Sequence, residues 1–191
     1  MLSVLITALL ACAPALHNDT NAGYDTQVQE ELTVGIYTDG VCGHAIGDDI
    51  CDLVLKDQND DMWRLHDVEG DIVVLDFSAM WCGPCQSAAS TVQEMQDFYE
   101  SEGFHYITIL IDDPTGDTVE LDEAQDWAAA FGIETAPVLQ GSRDLVNVSP
   151  ELGYPISSWP TFVFVDRNLE IFWGIYGYSE EYLKMVIEDM L

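Results

Sequence analysis

The chain has 191 residues, 48% of them hydrophobic, which is enough for one compact core and excludes an intrinsically disordered protein. It carries 35 Asp and Glu against 5 Lys and Arg, so its formal net charge is −30. Such a chain repels nucleic acid, and a nucleic-acid partner is excluded. The acidic residues are spread along the sequence, which predicts a solvated, self-repelling surface that is more stable in concentrated salt.

Residues 1–11 form an uncharged apolar run that is shorter than the roughly 20 residues of a spanning helix, and they predict a signal peptide. The sequence Leu-Leu-Ala-Cys at residues 9–12 resembles a bacterial lipobox, which implies that Cys12 is lipidated and anchors the protein to a membrane surface. No Lys or Arg precedes the run, so ordinary cleavage after residues 13–15 is the alternative. Either route exports the protein to the cell envelope, as a periplasmic protein or an outer-membrane lipoprotein.

The polar, acidic residues 12–40 predict a flexible tether with little fixed structure as far as Tyr37, and residues 41–191 predict one domain. With Cys12 assigned to the lipid and a Cys-x-x-Cys pair further along, two of the five cysteines are left, Cys42 and Cys51. In an oxidising compartment this pair predicts a structural disulfide. A second redox pair, or a metal site that includes His44, is the alternative.

Alternating apolar residues at 52–56 and 62–65, separated by an acidic turn, predict a β-hairpin. The turn is not a calcium loop, because Met62 stands where that loop requires glycine.

The next segment carries the chemistry. The apolar run 72–77 predicts a buried strand, the sequence Trp-Cys-Gly-Pro-Cys follows at residues 81–85, and residues 86–100 predict a helix. Two thiols on a first helical turn can close into a disulfide, and the helix N-terminus favours a thiolate on the first one. This is the chemistry of thiol-disulfide exchange.

A zinc site is the other interpretation of a Cys-x-x-Cys pair, but no second such pair or His pair follows, so no metal is expected.

Residues 74–85, with the sequence VLDFSAMWCGPC, resemble the active-site strand and motif of the thioredoxin superfamily. The order of the remaining segments resembles its TlpA-like and redoxin branch of extracytoplasmic thiol-disulfide oxidoreductases. The resemblance implies an α/β protein with the thioredoxin fold, in which helices flank a central mixed β-sheet and a β-hairpin extends the N-terminus.

The same resemblance implies the roles of the site residues. Cys82 is expected to be the nucleophile and the more exposed cysteine, Cys85 the resolving cysteine, and Asp76 the buried acid that takes a proton from Cys85. An Asp76 that is merely satisfied by local hydrogen bonds is the alternative. The residues expected to contact substrate are Trp81, Gly83, Pro84 and Trp159. The motif departs from the family at two places, since Ser78 replaces a common aromatic residue and Met80 replaces a residue that is often polar.

Beyond the motif, Gly103 ends the helix, residues 105–111 predict a second buried strand, and residues 120–131 predict an amphipathic helix ended by Gly132. Pro160 opens the apolar strand 161–166, which resembles the cis-proline strand of thioredoxins and implies a cis Pro160 that faces Cys82. An ordinary trans proline is the alternative. Residues 169–175 predict an antiparallel partner strand, and Ser179 predicts the N-cap of a closing helix.

These features predict a thiol-disulfide oxidoreductase that reduces protein disulfides through a Cys82–Cys85 cycle and needs no cofactor. The Gly-Pro dipeptide and the negative charge of the protein favour the reducing direction. The resemblance implies a membrane thiol electron donor, with protein disulfides and dithiols as substrates. Three alternatives stay open: a disulfide oxidase or isomerase; a peroxiredoxin-like antioxidant, although Ala79 replaces the threonine of that motif; and a non-catalytic adaptor or metallochaperone whose Cys pair binds copper.

Overall fold

The computed structural model describes residues 32–37, 42–146 and 153–191, which belong to one compact unit. The strands are β1 (Gly35–Tyr37), β2 (Asp52–Lys56), β3 (Met62–Arg64), β4 (Ile72–Ala79), β5 (Phe104–Asp112), β6 (Val138–Gln140), β7 (Thr161–Val165) and β8 (Ile171–Tyr176). The helices are α1 (Gly83–Ala89), α2 (Val92–Tyr99), α3 (Leu121–Phe131) and α4 (Glu180–Met190). The signal peptide, Cys12 and residues 12–31 of the predicted tether lie outside the described residues.

A small antiparallel sheet in the order β1-β2-β3 precedes the motif. The predicted hairpin is confirmed as β2 and β3, with Leu55 opposite Trp63. The prediction of little fixed structure up to Tyr37 is wrong for its last residues, because β1 pairs with β2 and places Ile36 opposite Leu53. Ile36 packs against the buried cluster beneath this sheet, and this apolar contact holds the strand in place.

The main sheet has the order β6-β5-β4-β7-β8. Strands β4, β5 and β6 are parallel, whereas β7 runs antiparallel to β4 and β8 runs antiparallel to β7. The predicted central mixed sheet with flanking helices and an N-terminal hairpin is therefore confirmed. Strand β4 is buried along its whole length, as expected for a strand that is covered on both faces.

Two hydrophobic clusters lie on opposite faces of this sheet, because alternate side chains of a strand point to opposite sides. On β4, Val74 joins one cluster and Leu75 joins the other. The buried apolar residues of all four helices belong to the cluster that contains Val74. The cluster that contains Leu75 joins the sheet to β2 and to Tyr154 and Ile156.

The predicted single helix over residues 86–100 is wrong in its continuity. The structure has α1 and α2 with a break at Ser90 and Thr91. The Ser90 hydroxyl donates to the carbonyl of Ser87 at 2.7 Å, and the Thr91 hydroxyl donates to that of Ala88 at 2.9 Å. Side chains that bond carbonyls of the preceding turn compete with helix propagation, and this accounts for the break.

The remaining elements follow the sequence. Glu120 and Glu123 form a capping box at the start of α3, and Gly132 ends that helix in the left-handed conformation. The Ser179 hydroxyl accepts from the amide of Tyr182 and caps α4. Within the parts of the chain that the structure describes, no helix is both long enough and apolar enough to cross a membrane.

Candidate active site

The two cysteines of the motif lie where β4 passes into α1. Cys82 is the N-cap of α1, and a disulfide joins it to Cys85. The amide of Cys85 donates to Cys82 Sγ at 3.3 Å. Cys82 keeps 5% of its surface exposed and Cys85 keeps none. Cys82 is therefore the more exposed cysteine, as expected. An amide N–H directed at the sulfur stabilises negative charge there, which suits a thiolate at Cys82 when the pair is reduced.

Pro160 reaches the same end of the sheet from β7. The peptide bond between Trp159 and Pro160 is cis, as the sequence resemblance implied. Thr161 pairs with Phe77 of β4, so Pro160 stands beside the residues that lead from β4 into the motif. Pro160 is buried and its carbonyl accepts from the amide of Gly177 at 2.8 Å. Trp159 is half-buried and packs against both hydrophobic clusters.

Asp76 lies in the interior of the central sheet, on the strand that ends at the motif, and is 1% exposed. Burial raises its pKa to about 7, although hydrogen bonds to its charged form oppose the shift. The Ser78 hydroxyl donates to Oδ1 at 2.6 Å, and the Tyr106 hydroxyl donates to Oδ2 at 3.2 Å. Asp76 is thus hydrogen-bonded locally and at the same time able to exchange a proton near neutral pH.

The residue before Cys82 is tied to the end of the neighbouring strand. The Trp81 indole donates from Nε1 to Oδ2 of Asp112 at 3.2 Å, while about half of the Trp81 surface stays exposed. Asp112 is completely buried and also accepts two hydrogen bonds from Arg143. The Met80 amide donates to the backbone carbonyl of Asp112 at 3.0 Å, so side chain and backbone both hold the start of the motif.

The structure therefore brings together Trp81, the Cys82–Cys85 pair and the Trp159–Pro160 bond at the end of the main sheet where β4 ends and β7 begins. Asp76 lies further back on β4, opposite Phe162. Gly83 and Pro84 are exposed next to Cys82. These are the residues for which the sequence predicted catalytic or substrate-binding roles.

Cys42 and Cys51 belong to a different part of the molecule, where a disulfide joins them. The loop between them lies against β8: the Gly47 amide donates to Ile171 O, and the Ile171 amide donates to Asp48 O, both at 2.9 Å. His44 lies against the ring of Tyr154 at 4.7 Å between ring centroids. Among residues 32–37, 42–146 and 153–191, no group of three or more His, Cys, Asp or Glu could hold a metal ion.

Four residues of the site were missed from the sequence, namely Ser78, Tyr106, Asp112 and Arg143. Ser78 was detectable, because residues two apart on a strand share a face, and its side chain serves Asp76. Asp112 directly follows the predicted strand 105–111, which was a weaker signal. Nothing in the spacing of Tyr106 and Arg143 indicated their partners, which are 30 and 31 residues away along the chain.

Comparison with known proteins agrees with this geometry. Residues 46–172 match the AhpC/TSA family. The thiol-disulfide oxidoreductase ResA of Geobacillus thermodenitrificans is 24% identical over 147 residues, which cover 76% of this chain and 78% of that protein. ResA of Geobacillus kaustophilus is 25% identical over 127 residues, or 66% of this chain and 67% of the relative.

Solved structures share the fold. A Chlorobium tepidum protein described as a thiol:disulfide interchange protein of the DsbE type superposes with a TM-score of 0.63 at 26% identity, over 76% of this chain and 97% of its own. The exposed lipoprotein thioredoxin Etrx1 of Streptococcus pneumoniae has a TM-score of 0.58 at 23% identity, over 73% of this chain and 99% of its own. Together with the disulfide between Cys82 and Cys85, these similarities show a thiol-disulfide oxidoreductase with the thioredoxin fold, and the chain belongs to the AhpC/TSA family.

Proposed function

We propose that this protein reduces disulfides of other proteins outside the cytoplasm, and that Cys82 and Cys85 alternate between dithiol and disulfide as it does so. The observation that carries the proposal is the disulfide between Cys82 and Cys85 at the start of α1, directly after the strand that carries the buried carboxyl of Asp76. Burial raises the pKa of this carboxyl to about 7. This combination supplies a nucleophile, a resolving thiol and a group that can take a proton at neutral pH.

The proposed cycle begins with the Cys82 thiolate, which attacks one sulfur of a substrate disulfide and forms a mixed disulfide while the other substrate sulfur leaves as a thiolate. Cys85 then gives its proton to Asp76 and attacks Cys82 Sγ. The second substrate sulfur leaves as a thiolate and the Cys82–Cys85 disulfide remains. Asp76 returns its proton to one substrate thiolate, and water protonates the other. The substrate gains two electrons and two protons, and a dithiol donor must return the same number to this protein.

The surroundings of Cys82 suit a polypeptide substrate. Trp81, Gly83 and Pro84 are exposed and flank Cys82 in the chain, and Trp159 and Pro160 lead into β7, which pairs with β4 beside the motif. We assign substrate contacts to this surface.

The reducing direction is supported by the charge of the protein. A net charge of −30 disfavours a thiolate, and a dithiol that ionises less easily is a stronger reductant. The Gly-Pro dipeptide between the cysteines is that of reducing thioredoxins.

Export and anchoring complete the proposal. The apolar residues 1–11 serve as the signal peptide, Cys12 as the lipidated residue, and the following polar segment as a tether to a membrane surface. A second disulfide at Cys42 and Cys51 supports an oxidising compartment. A reductase in such a compartment requires a donor, for which we propose a membrane thiol protein.

The test is the reduction potential of the Cys82–Cys85 pair, followed by Trp fluorescence in dithiothreitol buffers, together with an insulin-reduction assay. We expect a potential near the roughly −270 mV of thioredoxin and active insulin reduction. Cys82→Ser should abolish the activity. A potential near the roughly −120 mV of a strong periplasmic oxidant would reverse the proposed direction, and inactive wild-type protein would favour the adaptor or metallochaperone.

A further inference from the structure

We propose that Arg143 is a positioning residue for the active site, which acts through Asp112 to hold the Trp81 indole beside Cys82. This inference rests on the proposed function in one respect, because its kinetic consequence concerns disulfide reduction. Its structural consequence concerns the indole alone.

The contacts converge on one carboxylate. Arg143 donates from Nε to Oδ1 of Asp112 at 2.7 Å and from Nη2 to Oδ2 at 2.5 Å. A planar guanidinium that binds both oxygens fixes the plane of the carboxylate, which a single-point donor does not. Trp81 Nε1 donates to the same Oδ2 at 3.2 Å. The indole therefore meets an acceptor whose orientation is set by Arg143.

Asp112 cannot take another orientation at low cost. Its side chain is completely buried, and its backbone carbonyl accepts from the Met80 amide. The pairing of β4 with β5 has an irregularity immediately before this point, where Ala79 is opposite Asp112. The start of the motif is thus attached to the end of β5 through two different groups of one residue.

The loop after β6 delivers Arg143 to this place. The Gly141 amide donates to Leu110 O at 2.9 Å, and a Cβ at position 141 would lie 2.5 Å from that same oxygen. Only glycine allows this close approach. The Ser142 hydroxyl then accepts from the Asp144 amide and caps the short 3₁₀ turn that Arg143 begins.

Trp81 is the residue through which a change at Arg143 would reach the substrate. Its indole is half exposed and directly precedes Cys82, so it forms part of the surface that an incoming disulfide contacts. With the indole free to rotate, the substrate would be held less well at Cys82. We expect a rise in KM and a fall in kcat/KM of about tenfold, as small misplacements near a reacting group produce.

The competing explanation is that Arg143 only neutralises a buried carboxylate, since removing one partner of such a pair is costly wherever it lies. The chain offers a control in a second pair of an arginine with a buried aspartate. Arg64 of β3 donates from Nε to Oδ2 of the equally buried Asp52 at 2.5 Å, in a sheet that carries none of the motif residues. A purely structural role predicts the same consequences for Arg143→Gln and Arg64→Gln.

The experiment uses the full chain labelled with ¹⁵N, in its oxidised form. The indole N–H signal of Trp81, one of five Trp in the chain, is assigned by its loss in Trp81→Phe. We expect Arg143→Gln to shift that signal, to accelerate its exchange with solvent and to raise KM for insulin. Arg64→Gln should lower the free energy of unfolding and leave both readouts unchanged.

Arg143→Lys keeps the charge without the two-point contact and carries the same test if Arg143→Gln does not fold. The proposal would be overturned if the Arg143 variants changed the Trp81 indole signal and the KM no more than Arg64→Gln does. If the wild-type protein reduces no disulfide, the proposed function fails by itself, and the indole signal still decides whether Arg143 positions Trp81.

Discussion

At the scale of single residues, Asp76 shows how burial adapts an ordinary carboxyl group. The group has no access to water, so its charged form is disfavoured, and its pKa moves to about 7 from an ordinary value of 3.8. Ser78 and Tyr106 donate hydrogen bonds that keep the shift from becoming larger. The pKa of Tyr106 is raised in turn, first by its own burial and then by the charge of Asp76, so the phenol remains a donor.

This pKa predicts how Asp76→Asn changes stability with pH. In the unfolded chain the carboxyl has its ordinary pKa, so the folded protein holds the proton more tightly. The resulting stabilisation is complete below about pH 4 and is lost as the pH rises through about 7, a total of about 4 kcal/mol for three pKa units. Asparagine never ionises, so the variant escapes this loss.

Urea unfolding of oxidised wild type and Asp76→Asn at pH 5, 6, 7 and 8 measures the effect. The difference in free energy of unfolding, variant minus wild type, should increase with pH by up to about 1.4 kcal/mol per pH unit. The increase should level off once the pH passes 7. Asp126→Asn, which changes an exposed carboxylate on α3, should show no comparable trend. A difference between wild type and Asp76→Asn that is the same at pH 5 and pH 8 would contradict the assignment of this pKa to Asp76.

At the scale of elements, the 42–51 loop explains how an N-terminal segment is held on the main sheet. Besides the two bonds to Ile171, the Ile50 amide donates to Leu169 O at 2.8 Å. The loop thereby pairs with the beginning of β8, the last strand of the sheet, and part of this outer edge is covered. The disulfide closes the loop that makes these contacts.

Removing this disulfide with Cys42→Ala and Cys51→Ala should therefore cost stability and spare activity. Closing so short a loop restricts the unfolded chain by about 2 to 3 kcal/mol, and this is the expected decrease in the free energy of unfolding. Both proteins are compared with Cys82 and Cys85 oxidised, so that only one disulfide differs. Retained insulin reduction would assign the pair a structural role, whereas loss of reduction in a folded protein would assign it a redox role.

At the scale of the whole molecule, the charge distribution is the dominant feature. Four of the five cations form ion pairs with carboxylates: Lys56 with Asp60, Arg64 with Asp52, Arg143 with Asp112, and Lys184 with Glu180 and Glu94. Arg167 donates to the backbone carbonyls of Gly70 and Glu102. Each cation thus binds specific carboxylates or carbonyls, and the many remaining carboxylates repel one another.

Salt should stabilise this protein, because the repulsion is long-ranged and easily screened. The screening length falls from about 10 Å at 0.1 M salt to about 3 Å at 1 M. We expect the melting temperature to rise steeply between low salt and 1 M NaCl. A series of melting temperatures in sucrose is the control. Sucrose stabilises folded proteins by exclusion from their surface and does not screen charge, so it shows how much stabilisation arises without screening. A melting temperature that is flat or falls with NaCl would contradict this prediction.

Much of the fold was predictable because its signals are local. The buried strand 72–77, the Cys-x-x-Cys pair at its end, the hairpin at 52–65 and the caps of α3 and α4 each depend on residues that are close together in the sequence. Hydrophobic periodicity, turn chemistry and capping act over a few residues, so the sequence displays them directly. The reactive cysteine pair could therefore be predicted from the residues themselves, whereas the central mixed sheet was implied by the resemblance to the thioredoxin superfamily.

Other features were not evident from the sequence pattern. The break between α1 and α2 was missed because Ser90 and Thr91 bond to the preceding turn instead of continuing the helix, and β1 was missed because only its pairing with β2 orders it. Three residues alone cannot bury enough apolar surface to order themselves, so such a strand exists only in its tertiary context.

The sequence by itself determined which residues are the candidates for reaction: two cysteines at the start of a helix, and a carboxyl on the strand that leads to them. Only the tertiary structure decided how those residues are tuned. The pKa of Asp76 depends on its burial and on Tyr106, and the position of Trp81 depends on Asp112 and Arg143. The physical reason is that reactivity of this kind depends on distance and exclusion of water, and chain folding sets both between residues far apart in sequence.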